Sequence, residues 1–139
     1  MRRNLRSLIR LYAWQLDEER RKLAELLRTV EDLERQGRAL EAEIVSEQRA
    51  AANAPEEAGM AYGAYAEAAI ERRRRIAESS ATVETEIGAA RERLRGTLRR
   101  LRSVEVAQEH ADRQMALEAD RKAQNTLDDL ALQRHRRGS

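Results

Sequence analysis

Residues 47–59 read EQRAAANAPEEAG, and they hold the one clear break in a chain that otherwise keeps to a helical repeat. Asn53 and Pro55 stop a helix, because proline lacks the amide the ladder needs and restricts the residue before it. Pro55, Glu56 and Glu57 then suit the first turn of a new one. The expected organisation is helix 1 over about 4–52, a bend at 53–57 and helix 2 over about 56–134.

Upstream of the break, apolar residues recur by sevens at Ile9, Leu16, Leu23, Val30 and Ile44, with Gly37 as a blemish. A companion series follows three residues later at Tyr12, Leu26, Leu33 and Leu40, with Glu19 as the exception. This is the a/d seam of a coiled coil, and such a seam demands a partner helix. Downstream, a second seam alternates steps of four and three through Tyr62, Ala66, Ala69, Arg73, Ile76, Ser80, Val83, Ile87, Ala90, Leu94, Thr97, Leu101, Val104, Gln108, Ala111 and Met115. Past Met115 the spacing becomes Ala119, Ala123, Leu127 and Leu130, a stutter that unwinds the supercoil.

A short connection makes neighbouring helices antiparallel. The fold class is therefore all-α, a long two-helix antiparallel hairpin forming a single domain over 1–139. Folding back at the break sets Ile44 near Tyr65 and Leu5 near residue 105. Some 30 C-terminal residues, including Leu127 and Leu130, are left as an overhang for a second copy or another protein to cover.

Composition agrees with this reading. Of 139 residues, 37% are charged and only 3% aromatic, too few bulky side chains for a layered core, while Ala, Glu, Leu and Arg dominate. The 27 basic and 25 acidic residues nearly cancel, so the arginine richness is a weak nucleic-acid signal. Cysteine is absent, which excludes disulfides and thiolate metal sites. No run approaches the roughly 20 apolar residues of a membrane span. The opening MRRNLRSLIRLYAWQL is acid-free and amphipathic like a mitochondrial presequence, yet its apolar positions are in phase with the seam that follows, and a cytosolic chain is the simpler expectation.

No catalytic constellation is present, and the chain is not expected to be an enzyme or to need a cofactor or metal. His110 and His135 are far apart in sequence, Ser79 and Ser80 have no neighbouring base, and the adjacent Asp128 and Asp129 point about 100° apart on a helix. Gly37, Gly59, Gly63, Gly88 and Gly96 follow no phosphate-binding spacing.

Two basic runs remain. Residues 72–75, RRRR, circle one helical turn and put Arg73 on the seam. Residues 91–102, RERLRGTLRRLR, carry a net charge of +5, suited to phosphates, to an acidic protein surface, or to pairing with helix 1 acids such as Glu25 and Glu31. Aromatic interleaving is missing from them, which disfavours single-stranded nucleic acid. Tyr62 and Tyr65 share a helical face among Ala61, Ala64, Ala66, Ala68 and Ala69, so they serve either as anchors for a protein partner or as seam packing.

LIRLYAWQLDEERRKLAEL at the N-terminal helix, the Tyr62/Tyr65 element after a polar break, and the ending EADRKAQNTLDDLALQRHRR together resemble the FliJ family, small coiled-coil proteins of the flagellar type III export apparatus. The ending is the most specific part: Glu118, Arg121 and Lys122, then Leu127, Asp128, Asp129, Leu130 and Ala131, and a closing Arg134. The resemblance implies a bent hairpin similar to the shaft of rotary ATPases, at the cytoplasmic face of the flagellar basal body. Its partners would be the hexameric export ATPase and the cytosolic domain of the export gate, with export chaperones as further candidates. Matching the tyrosine element places gate binding on Tyr62, Tyr65, Ala69, Arg72 and Ile76, although Ala69 and Arg72 depart from the family's apolar pattern. The 72–75 run is then expected to orient the gate electrostatically. Leu5, Leu8, Leu127, Leu130 and Arg134 would be the surface offered to the ATPase. The stalk of an injectisome, a general coiled-coil scaffold or homodimer, and a nucleic-acid-binding helix on residues 91–102 are the competing readings.

Overall fold

The computed structural model describes residues 5–53 and 56–138. Two helices account for nearly all of them, α1 over Arg6–Ala52 and α2 over Glu56–Arg137. The molecule is an all-α helical hairpin. Strong helix formers fill both segments, and no described residue has a positive φ. Ala54 and Pro55, central to the expected bend, lie outside the described residues. α2 runs to Arg137 rather than stopping near 134. Arg134, Arg136 and Arg137 occupy its last turn together with His135, and the arginines offset the negative end of the helix dipole.

The chain divides into two compact units. In the unit of residues 17–95, α1 and α2 are antiparallel: Glu41 pairs with Arg73 and Glu43 with Arg72. Its core is the expected seam. Leu40 is 1% exposed, and Ala69, Val83, Ile87 and Ala90 are buried with it. Leu23, Leu26, Val30, Leu33, Ile44 and Ile76 are half-buried around them. Fully burying a leucine stabilises by about 1.5–3 kcal/mol, so Leu40 is the largest single apolar contribution in this unit. Arg73, on the seam by spacing, is exposed instead. Its charge leaves the layer and turns to the acids of α1.

In the other unit, residues 5–16 of α1 pack antiparallel on α2 from Gly96 onward. Leu16, Thr97 and Leu101 are buried there, Thr97 completely. Thr97 accepts a hydrogen bond at Oγ1 from Arg100 at 3.3 Å, and the same guanidinium sits 6.0 Å from the centre of the Tyr12 ring, a cation–π distance. The Leu5 amide donates to Gln108 Oε1 at 3.0 Å, so a side chain of α2 satisfies a donor at the start of α1. Past Ala111 every described residue of α2 is exposed.

Candidate functional site

Tyr62 and Tyr65 stand one turn apart on α2, with ring centroids 6.3 Å apart and planes tilted by 37°. Both are half-buried. They line an open cleft of about 180 Å³ with Ile44 and Gln48 of α1 and Ala69 and Arg73 of α2. Each ring is thus half-buried and still borders an open cleft.

The five residues assigned to the gate line two clefts. Tyr62, Tyr65 and Ala69 border this cleft, whereas Arg72 and Ile76 border a second one with Gln36, Ala39 and Arg75. Ala69 is buried, so it sets the closeness of the helices rather than offering contact area.

Sequence reasoning missed Glu43. Its carboxylate accepts a hydrogen bond from Arg72 Nη1 at 2.7 Å, and this holds its pKa below the usual value, with the neighbouring Tyr65 hydroxyl acting in the same direction. The Tyr65 hydroxyl is buried beside that carboxylate without closing a hydrogen bond of full geometry among the described residues. Burial, then the adjacent carboxylate, raises the phenol pKa. Glu43 falls at g beside Ile44 at a, a flanking position of the kind that forms interhelical ion pairs, but the heptad does not say which residue of α2 it meets.

The arginine run is paired within the chain. Arg72 pairs with Glu43, and Arg73 forks onto Glu41 with Nε and Nη2 at 2.8 and 2.9 Å. Arg74 bridges Glu71 and Glu78, while Arg75 reaches Glu71 at 3.3 Å. All four guanidiniums thus meet carboxylates of their own chain. The hydrogen bond from Arg74 is the main cause of a Glu71 pKa lowered to about 2, and Arg74 is raised in turn. The turn is a local ion-pair network whose members are largely exposed, so each pair is weak.

For the second basic run, Arg95 pairs with Glu92 and Arg102 with Glu105, both within α2 rather than with Glu25 or Glu31.

The residues assigned to the ATPase separate by burial. Leu127 and Leu130 are 61% and 53% exposed, and Arg134 is exposed. Leu5 and Leu8 are half-buried. The exposed apolar residues at that end are Leu11 and Trp14, the latter 62% exposed. Heptad counting finds this, since with Ile9 at a, Trp14 falls on the outermost f position.

Among the described residues no cluster of three or more His, Asp or Glu side chains could hold a metal, and no helix is long and apolar enough to cross a membrane. No family model matches the chain, and comparison with curated proteins and with solved structures returned no match.

Proposed function

We propose that this chain is a coiled-coil stalk of the flagellar type III protein export apparatus, which links the export ATPase to the export gate without catalysing a reaction. The observation that carries the reading is the pair Tyr62 and Tyr65, which line an open cleft between the first turns of α2 and residues 44–48 of α1. Aromatic side chains that combine rigid area with a polar tip are the anchors protein interfaces use most. The sequence resemblance supports the same assignment, and the exposed Leu127, Leu130 and Arg134 supply a second surface at the other end of α2.

The test is a pull-down of purified chain with the export ATPase and with the cytosolic domain of the export gate, wild type beside Tyr62→Ala/Tyr65→Ala and Leu127→Asp/Leu130→Asp. Loss of gate binding alone in the first double variant and of ATPase binding alone in the second supports a two-ended coupling shaft. Wild-type chain that binds neither partner overturns the export reading.

A further inference from the structure

The segment of α2 beyond Met115 presents one face with heptad spacing: Ala116, Asp120, Ala123, Leu127, Leu130 and Arg134. At 100° per residue these six fall within about 80° of one another. All are exposed, including Leu127 and Leu130 at 61% and 53%. Nothing among the described residues covers this face.

Two charges interrupt it, and their placement is informative. Asp120 lies two turns before Leu127 and Arg134 two turns after it, seven residues on either side. A second copy laid antiparallel, with its twofold axis at Leu127, sets Asp120 of each chain against Arg134 of the other. The same operation puts Leu127 on Leu127, Ala123 on Ala131 at the edge of the face, and Leu130 beside the stem of Gln124. Off the face, Arg121 and Lys122 come within one turn of Asp128 and Asp129 of the other copy. A parallel, in-register pair would instead oppose Asp120 to Asp120 and Arg134 to Arg134, which is unfavourable in a seam.

From this charge symmetry we infer that the exposed C-terminal part of α2 is a self-association site, which takes a second copy of this chain antiparallel over about residues 116–138. The inference does not depend on the export reading. If both hold, a second copy and the ATPase compete for Leu127 and Leu130, and self-association keeps the apolar face covered until the ATPase is met.

The chain has no cysteine, so single-cysteine variants report the register directly. Sedimentation equilibrium of the full chain at sub-millimolar concentration is expected to show a dimer. Leu127→Cys should crosslink to itself, and Asp120→Cys should crosslink to Arg134→Cys in a mixture but not to itself. Asp120→Arg should weaken the dimer about tenfold, since two contacts turn repulsive, and Asp120→Arg/Arg134→Asp should restore it. A wild-type chain that stays monomeric overturns the inference and leaves the face to a different protein. Self-crosslinking of Asp120→Cys overturns it in favour of a parallel pair. Circular dichroism of each variant separates these outcomes from loss of helix.

Discussion

The Arg73 guanidinium forks across both carboxylate oxygens of Glu41, Nε to Oε1 at 2.8 Å and Nη2 to Oε2 at 2.9 Å, and joins α2 to α1 at a position the heptad repeat reserves for an apolar side chain. The arrangement replaces a seam contact by a bidentate one, which fixes orientation as well as distance. Both side chains are more than half exposed, so water screens the pair. A double-mutant cycle of Arg73→Ala and Glu41→Ala should return a coupling of about 0.5 kcal/mol, and a coupling indistinguishable from zero would show that the fork is lost in solution.

Stability should fall in acid through Glu71. Its pKa is lowered to about 2 from an ordinary 4.5, so the unfolded chain takes up the proton first as pH falls. The contribution is complete above about 4.5 and is lost progressively as pH drops towards 2. An NMR titration should place the Glu71 midpoint near 2, and replacing Arg74 by Gln should raise it; a midpoint near 4.5 in the wild type would remove the network.

The alkaline limb has the opposite sign. The Tyr65 phenol is raised above its ordinary 10, so its neutral form is favoured in the folded state and its contribution is lost as pH rises through and beyond that value. In a Tyr12→Phe/Tyr62→Phe background, the tyrosinate absorbance should appear at higher pH than in the urea-unfolded chain. Glu43→Gln should move the transition back towards 10, because it removes the negative charge beside the hydroxyl.

Burial separates two leucines that composition treats alike. Leu40→Ala should cost about 2–4 kcal/mol, because a side chain 1% exposed leaves a cavity between the helices. Leu127→Ala should change the stability of the free chain by less than about 0.5 kcal/mol, since the side chain is 61% exposed. Urea melts at low protein concentration, where self-association is absent, decide between equal and unequal effects.

The single tryptophan is a ready reporter. Trp14 is 62% exposed, so its emission should be that of a hydrated indole and should be quenched by iodide. A blue-shifted, protected emission from dilute chain would place the indole in an interface.

The heptad spacing carried most of the fold. Among the described residues every buried one, Leu16, Leu40, Ala69, Val83, Ile87, Ala90, Thr97 and Leu101, stands on one of the three series counted from Ile9, Tyr12 and Tyr62. That succeeds because burial between two helices follows the helical period and little else. Contacts off the period were not legible. The Glu43 carboxylate beside Tyr65, the Glu41 fork and the Gln108 contact to Leu5 depend on which flanking side chains face across two helices 22–103 residues apart in sequence, which spacing within one helix does not encode. The charge of the arginine run is visible in the sequence, but two of the acids that pair with it, Glu41 and Glu43, lie on the other helix.

The hydrogen bond from the Leu5 amide to Gln108 joins residues 103 positions apart, so the first turn of α1 is completed by a residue made late. On a ribosome adding about 5–20 residues per second, that amide waits on the order of 5–20 s before its acceptor exists. Until then residues 5–16 have no α2 to pack against and their apolar side chains stay open to solvent. Docking of this segment is thus a late event in the birth of the chain, and it is the point at which an N-terminal fusion or truncation would interfere first.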